Sequence, residues 1–184
     1  AVGLNINEDS PKNPSSHYAI SKLQAEEFLI KWAEEKGVIL GILRPSLMIG
    51  PNPPGNLKSM INGIKKGYYV NIAGGKTRKS LMMIYDIANL VPKIENVGGI
   101  YNVCDNRHPS YEELSFCISK QLGKNHNPLS IPYWVAWCMA KIGDLPIDSH
   151  RLEQLTKSNT YSNEKAKKAL GWEPLDVIEN FKIK

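Results

Sequence analysis

The sequence feature that most constrains the fold is an uninterrupted apolar run, Val38-Ile39-Leu40-Gly41-Ile42-Leu43, which follows a long helical segment. A strand without polar alternation is typical of a parallel sheet that is covered on both faces. The segment before it, from Ser16 to Lys36, is predicted to be a helix that Gly37 ends. Its expected core-facing stripe consists of Ala25, Phe28, Leu29, Trp32 and Ala33. A long helix next to a buried strand predicts a βαβ unit with a right-handed crossover, and therefore an α/β fold.

The middle of the chain is predicted to alternate between short helices and short strands. The expected segments are helices at 57–66 and 86–94 and strands at 69–73, 80–85 and 99–103. Asn56 and Asp86 are expected to cap the two helices, because short polar side chains accept hydrogen bonds from free backbone N–H groups. The basic turn 74–79, which contains two glycines, is expected to be an exposed hairpin turn, with a phosphate site as the alternative.

The last third of the chain carries clear helix signals and one unusually apolar stretch. Ser110 and Glu113 have the spacing of a capping box, and a further helix is predicted at 164–170. The stretch 129–142 is too short to span a bilayer and contains a proline. We expect it to form a buried helix with Trp134, Trp137 and Cys138 pointing inward; an interface role is the alternative.

Composition excludes several classes of protein. A hydrophobic fraction of 42% and a net charge of +5 over 184 residues are ordinary for a folded globular protein. The lysines are dispersed, which favours a solvated surface over a nucleic-acid interface, although the positive sign would suit a small anionic substrate. The three cysteines and four histidines have no metal-ligand spacing, so we expect free thiols and no metal. No signal-peptide pattern opens the chain, and we expect a cytoplasmic protein.

One spacing suggests proton-transfer chemistry. Positions i and i+4 of a helix share a face, and a lysine held there beside a tyrosine favours the phenolate, which can exchange protons with a substrate. The sequence contains this spacing twice, in Tyr18–Lys22 and Tyr161–Lys165. The second tyrosine precedes its predicted helix and need not face its lysine, whereas the first pair lies inside a helix. Tyr18 and Lys22 are therefore the predicted pair.

Six segments in order resemble the NAD-dependent epimerase/dehydratase family of extended short-chain dehydrogenases/reductases. The helix PSSHYAISKLQAE at 14–26 resembles the family's P-x-S-x-Y-x-x-S-K-x-x-x-E motif, and LRPSLMIGP at 43–51 resembles L-R-P-x-x-V-Y-G-P. The other four are AVGL at 1–4, KSLMMIYDIA at 79–88, GIYNV at 99–103 and ALGWEP at 169–174. Each segment is a weak signal alone, and their order makes the resemblance strong.

The resemblance implies roles for particular residues. Tyr18 would be the general acid/base, and Lys22 would favour its phenolate and bind the nicotinamide ribose of NAD or NADP. The nicotinamide wall would consist of Pro45, Ser46, Leu47 and Met48. The diphosphate of the substrate would be bound by Asn56, Lys79 and Arg151, with Arg78 as a substitute for Lys79. This sequence departs from the family in having Lys79 where arginine is usual, and Met48-Ile49 where Val-Tyr is usual.

The resemblance also implies a fold and an activity. The fold would be the remainder of a doubly wound, parallel, Rossmann-like sheet (1–50 and 80–105) with a smaller α+β substrate-binding domain (51–79 and 106–184). The activity would be C4 epimerisation of a UDP-hexose or UDP-N-acetylhexosamine through a 4-keto sugar with bound NAD. Segment 145–158 resembles members that handle N-acetylated UDP-hexoses in cell-surface polysaccharide pathways. A homodimer is a further expectation.

Other interpretations remain open at this stage. The alternatives are an NAD(P)H-dependent 4-keto-sugar reductase or dehydratase, and a non-catalytic module that binds a sugar nucleotide. The family's Gly-rich loop, ribose-binding acid and catalytic Ser/Thr would all precede Ala1. We therefore expect a carboxyl-terminal portion that lacks most of the cofactor site and is inactive alone. Neither membrane insertion nor nucleic-acid binding is expected.

Overall fold

The computed structural model describes residues 3–142, 152 and 155–183, which form a mixture of helices and short parallel strands. The helices are α1 (His17–Lys36), α2 (Gly55–Lys66), α3 (Tyr85–Ile94), α4 (Tyr111–Gln121), α5 (Tyr133–Ile142), α6 (Glu164–Leu170) and α7 (Val177–Asn180). The strands are β1 (Gly41–Pro45), β2 (Leu47–Ile49), β3 (Asn71–Ile72), β4 (Leu81–Met83), β5 (Gly99–Val103) and β6 (Ser130–Ile131).

The named strands pair in parallel, as the apolar run 38–43 predicted. β1 pairs with β5 in a register from Gly41 opposite Gly99 to Pro45 opposite Val103. β2 pairs with β4, and β3 pairs with β6. Parallel neighbours require crossover connections, and helices supply them here. The α/β class expected from the sequence is confirmed.

The first strand is shorter and less buried than its sequence predicted. β1 begins at Gly41, and Val38 and Ile39 are exposed before it. Gly41 packs against α3: a Cβ at this position would lie 2.6 Å from Cγ1 of Ile94. Burial of the run on both faces was therefore the wrong expectation, because the described elements cover only part of the strand.

The expected hairpin around residues 74–79 was also wrong. β3 and β4, which flank this turn, each pair with a distant strand. Between them lies a short 3-10 turn, Ala73–Gly75, which packs against the start of α4. Gly75 has a φ of +64°, and a Cβ there would lie 2.8 Å from the backbone nitrogen of Glu112. Gly75 therefore serves a close backbone approach, whereas Gly74 supplies a left-handed residue with a φ of +75°.

Helix α1 forms where predicted, but its apolar stripe is not a core face. Ser16 caps its start by accepting a hydrogen bond from the Ala19 N–H, and Gly37 ends it in the left-handed conformation. In the predicted stripe Ala33 alone is buried, and Phe28 is 69% exposed. The prediction that Trp32 is a core residue was wrong, since its side chain is 42% exposed.

Helix α5 likewise forms where predicted and with the wrong exposure. Trp134 and Trp137 are exposed, and Cys138 is only half-buried. The interpretation of 129–142 as a buried helix was wrong. Among the residues that the structure describes, no helix is both long enough and apolar enough to cross a membrane.

The apolar interior consists of two clusters that share strand β4. Leu81 and Met83 point into one cluster with α2, α4 and α7, while Met82 points into the other with α3, β5 and α6. Side chains alternate between the two faces of a strand, so one short strand serves both cores. The proposed division into domains at 51–79 and 106–184 stays a prediction.

Of the N-terminal caps predicted for α2, α3 and α4, the one for α4 forms. The capping box of Ser110 and Glu113 is present with both hydrogen bonds. Asn56 lies inside α2, whose start has no side-chain cap. Asp86 lies in the first turn of α3, is buried, and accepts hydrogen bonds from the Leu175 N–H at 3.3 and 3.4 Å. Asp86 therefore attaches the carboxyl-terminal segment to α3.

Candidate functional site

Tyr18 and Lys22 lie one turn apart in the first half of α1. The ammonium of Lys22 lies 5.5 Å from the centre of the Tyr18 ring, a cation–π distance. The tyrosine is 73% exposed, so its hydroxyl is open to a substrate. The competing spacing does not form a pair: Tyr161 precedes α6, and the ammonium of Lys165 lies 5.5 Å over the ring of Tyr101.

The face of α1 that carries Tyr18 and Lys22 is held by a partly buried ion pair one turn further on. Glu26 accepts hydrogen bonds from Arg44 Nε at 2.9 Å and from Arg44 Nη2 at 2.6 Å. Lys12 adds a third bond to the same carboxylate at 2.8 Å. The hydrogen bond from Arg44 is the main reason that the pKa of Glu26 is lowered from 4.5 to about 2. A bidentate pair fixes orientation as well as distance.

The same ion pair connects α1 to the carboxyl end of the β1–β5 pair. Arg44 donates to the backbone oxygen of Glu8, and the Glu8 carboxylate accepts from the backbone N–H of Asn102. The loop before α1, the helix and both strands are thus joined by one hydrogen-bonded network. Sequence reasoning missed this network, although Glu26 and Arg44 both lie in quoted motifs, with Glu26 four residues after Lys22.

The predicted nicotinamide wall lies at the β1–β2 junction. Pro45 ends β1, and Leu47 and Met48 in β2 are 60% and 42% exposed. The hydroxyl oxygen of Ser46 is buried and has no hydrogen-bond partner in the part of the chain that the structure describes. An apolar surface next to an unpaired hydroxyl can bind a flat ring that bears a polar group.

The predicted diphosphate residues lie in different local settings. Lys79 donates to the backbone oxygen of Lys157 at 2.7 Å, and burial lowers the pKa of its ammonium. Arg78 binds the Glu113 carboxylate at 3.3 Å and the backbone oxygen of His108. Asn56 is exposed in the first turn of α2. Arg151 lies outside the described residues.

The structure brings some of these residues together and leaves others apart. Arg78 and Lys79 lie beside residues 158 and 159, through the Arg78 N–H bond to the Ser158 hydroxyl and the pairing of Lys79 with Asn159. Within the described ranges no hydrogen bond or ion pair joins them to Tyr18 or Lys22. The predicted acid/base pair and the predicted phosphate-binding cations are therefore not linked directly by a described polar contact.

Comparison with known proteins decides the family. The model of the NAD dependent epimerase/dehydratase family matches residues 3–104, more than half of the chain. The chain belongs to this family. The matched range includes Tyr18, Lys22, the predicted nicotinamide wall at 45–48, and Arg78 and Lys79.

Two curated relatives agree with membership of the epimerase/dehydratase family. The N-acetyl-α-D-glucosaminyl-diphospho-ditrans,octacis-undecaprenol 4-epimerase of Escherichia coli O157:H7 is 28% identical over 135 residues, covering 70% of this chain and 41% of that protein. The UDP-glucose 4-epimerase of Vibrio cholerae is 26% identical over 189 aligned positions, covering 98% of this chain and 56% of that protein. The chain spans about half the length of the curated relatives it matches.

A solved structure establishes the epimerase/dehydratase fold for this chain. The UDP-glucose 4-epimerase of Thermotoga maritima, solved with UDP-glucose, superposes with a TM-score of 0.73 at 21% identity. The alignment covers 100% of this chain and 56% of that one. The parallel pairs of this family member are therefore part of a Rossmann-like α/β fold.

A second polar cluster in this epimerase/dehydratase chain was not predicted from its sequence. Asp105 is fully buried, one of its oxygens has no partner among the described residues, and burial raises the pKa of its carboxyl to about 6. The other oxygen of Asp105 accepts a hydrogen bond from the backbone N–H of His108. The ring nitrogen Nδ1 of His108 lies 3.1 Å from the hydroxyl oxygen of Ser80. Burial, and then the charge of Arg78, lower the pKa of His108.

The arrangement around His108 does not match a nucleophilic triad. Ser80 and Asp105 both approach the same ring nitrogen, Nδ1, whereas a triad needs the base to contact one partner through each nitrogen. The Ser80 hydroxyl also accepts a hydrogen bond from the Tyr161 N–H at 2.8 Å. The cluster therefore holds β4, β5 and the segment before α6 together. No group of acidic, His and Cys side chains in the described ranges could hold a metal ion.

Proposed function

We propose that this chain carries the acid/base pair, the nicotinamide wall and the diphosphate-binding cations of a nucleotide-sugar 4-epimerase. The observation that carries the proposal is the Tyr18–Lys22 pair, exposed on a helix whose orientation the Glu26–Arg44 ion pair fixes. Tyr18 would accept the proton of the sugar C4 hydroxyl as the hydroxyl is oxidised, and return it after the 4-keto sugar has turned over. Lys22 would favour the phenolate by its charge.

The residues at 45–48 fit a nicotinamide cofactor. The exposed side chains of Leu47 and Met48 offer apolar contact to the ring, and the unpaired Ser46 hydroxyl offers a hydrogen bond to a carboxamide. When bound, NAD would supply a reversible acceptor for the hydride of the sugar C4. Lys22 would bind the ribose. The sequence 1–184 contains no G-x-G-x-x-G loop, and we propose that these residues alone do not turn over substrate.

The substrate diphosphate would bind at Lys79. Its ammonium is partly desolvated and has a backbone carbonyl as a neutral partner, so a phosphate would relieve an unfavourable burial of charge. Arg78 is a weaker candidate, because Glu113 already neutralises it. Asn56 lies at a helix start without a side-chain cap, where free N–H groups favour an anion.

The experiment is an assay of the full natural polypeptide with UDP-N-acetylglucosamine or UDP-glucose and a catalytic amount of NAD. The proposal expects the C4 epimer to accumulate without net change in absorbance at the NADH wavelength. A 4-keto-sugar reductase would form no epimer in this assay, and in a parallel assay supplied with a 4-keto sugar and NAD(P)H it would consume NAD(P)H in proportion to product. That outcome would rule out 4-epimerisation, while Tyr18 and Lys22 would remain the proposed acid/base pair of the reductase.

Two further arms separate the remaining possibilities. The name of the Escherichia coli O157:H7 relative specifies a sugar diphosphate carried by undecaprenol, so a polyprenyl-diphosphate-linked N-acetylglucosamine is the second substrate to assay. Calorimetry with UDP and with NAD tests the non-catalytic alternative. Binding of UDP without binding of NAD would support a sugar-nucleotide module and contradict the proposed enzyme.

A further inference from the structure

The exposed side of helix α5 carries a cluster of aromatic residues. Tyr133, Trp137 and Lys141 follow one another at intervals of four residues, and Trp134 lies beside them. At 3.6 residues per turn these four side chains fall within an arc of about 100°. We call Tyr133, Trp134, Trp137 and Lys141 the aromatic face of α5.

The aromatic face is open to solvent in the part of the chain that the structure describes. Trp134 is 67% exposed, and Trp137 and Tyr133 are nearly half exposed. Among the described side chains of α5, Ala136 is the buried one. Trp and Tyr combine a large apolar body with a polar N–H or O–H group, which is the combination found at membrane–water interfaces.

The sequence that leads into and through α5 carries positive charge, and the next acidic residue after it is Asp144. From Leu114 to Gly143 the sequence contains three lysines and neither aspartate nor glutamate. One of them, Lys141, lies on the aromatic face, with its ammonium 5.4 Å from the centre of the Trp137 ring. A lysine at this position can lay its stem along the apolar surface and present its charge to anionic headgroups.

The size of the aromatic face argues against a second copy of the chain as its occupant. Aromatic side chains bury about 150–250 Å² each when they are fully covered, so the exposed parts of these three offer roughly 240–400 Å². A stable protein dimer buries about 800 Å² on each partner. A helix that lies in a bilayer interface needs only a shallow apolar face together with basic residues.

We propose that the aromatic face of α5 docks this protein on the surface of a bilayer that contains anionic lipids. The contact is peripheral: the three aromatic rings enter the headgroup region, and Lys141 pairs with lipid phosphates. α5 directly follows β6, and the Ser130 hydroxyl in β6 accepts a hydrogen bond from the Gly74 N–H. The segment that leads to Arg78 and Lys79 is thereby attached to the docking helix.

The test is flotation of the full natural polypeptide with vesicles of phosphatidylcholine and phosphatidylglycerol at three to one. The double variant Trp134→Ser, Trp137→Ser is expected to bind at least tenfold more weakly than the unmodified protein. The matched control is Phe28→Ser, Phe116→Ser, which removes two exposed aromatic residues from α1 and α4 and is expected to retain binding. Equal losses in the two double variants would overturn the proposal, as would no binding by the unmodified protein.

A second measurement avoids any change to α5. Within residues 1–184, a Trp32→Phe background leaves the two tryptophans of the aromatic face and the buried Trp172. Vesicles with brominated acyl chains are expected to quench the exposed pair, and unchanged fluorescence would contradict the docking. Sedimentation without vesicles tests the alternative that a second copy of the chain binds this face. If the unmodified protein is an oligomer and the Trp134/Trp137 double variant is a monomer, the aromatic face is a protein–protein contact and the proposal is overturned. None of these readouts needs cofactor or turnover, so they stand or fall independently of the proposed reaction.

Discussion

Arg44 binds Glu26 through two nitrogen–oxygen contacts of 2.9 and 2.6 Å, and the Glu26 side chain is only 12% exposed. The pair lies one turn from Lys22 and two turns from Tyr18. Because charged pairs with little solvent access are weakly screened, this contact contributes more than an exposed ion pair would. It connects α1 directly to β1 of the β1–β5 pair.

Glu26→Gln is expected to lower the free energy of unfolding at pH 7 by about 1–3 kcal/mol. The pKa of this carboxyl is lowered from 4.5 to about 2 in the folded protein. Its stabilising effect is therefore complete above pH 4.5 and is lost as the pH falls towards 2. Urea unfolding at pH 7 and at pH 3 checks both statements. The control Glu35→Gln, which breaks an exposed pair with Lys31 at 3.9 Å, should change stability by less than about 0.5 kcal/mol.

Tyr18→Phe is expected to lower kcat of the full natural polypeptide by about 10²- to 10⁴-fold, because the variant cannot exchange a proton with the sugar hydroxyl. Binding of the sugar nucleotide should change little, since the ring is retained. Steady-state kinetics and calorimetry measure the two effects separately. Tyr161→Phe serves as the control: a comparable loss there would show that the other Tyr-x-x-x-Lys spacing had been wrongly dismissed.

Lys79→Met is expected to weaken UDP binding by about tenfold, the effect of one lost charge-assisted hydrogen bond. Burial lowers the pKa of this ammonium, so the folded protein disfavours its charged form. The same variant should therefore not destabilise the protein near neutral pH, which thermal unfolding would check. Arg78→Met is the matched change. If it weakened UDP binding more than Lys79→Met, the phosphate role would belong to Arg78.

Asp105 is expected to make the free energy of unfolding fall as the pH rises from about 4 to about 6. Burial raises the pKa of its carboxyl from 3.8 to about 6, so the folded state holds a proton that the unfolded chain releases. Asp105→Asn keeps the oxygen that accepts from the His108 N–H and should flatten this part of the curve. Chemical unfolding at half-unit pH steps provides the measurement. The exposed Asp9→Asn variant should leave the slope as it was.

Cys104 is expected to resist alkylation in the folded protein. Burial raises the pKa of its thiol to about 12, and the thiolate is the reactive form. Cys117 and Cys138 are only partly buried. Mass spectrometry after brief iodoacetamide treatment should find Cys104 unmodified until denaturant is added. Labelling of Cys104 at the rate of Cys117 under native conditions would contradict the burial described.

The elements that the sequence predicted well are those whose signals are local. Ser16 and Gly37 mark the two ends of α1, and the capping box of Ser110 and Glu113 marks the start of α4. These signals are predictable because a cap depends on residues within one helical turn. What covers an apolar face depends on distant residues. The sequence could not tell that Phe28 and Trp134 stay exposed, since the same periodic pattern marks a core face and an interface.

Pairing over long distances explains the other differences. The Gly-rich turn at 74–79 has the composition of a hairpin, yet β3 and β4 find partners elsewhere along the chain. The contact between Glu26 and Arg44 joins the middle of α1 to the carboxyl end of β1. It forms only once the helix has packed against the strand, so a local pattern could not predict it. Tyr18 and Lys22 needed only the helix, which is why their proximity could be predicted.

Strand β4 sends Leu81 and Met83 into one apolar cluster and Met82 into the other. Neither cluster can lose this strand without opening the second, so the two are expected to melt in one cooperative transition. A single residue inserted directly before Leu81 would exchange the faces of all three side chains. Lys79 lies two residues before this strand, so a ligand that holds the lysine would raise the melting temperature of both clusters together.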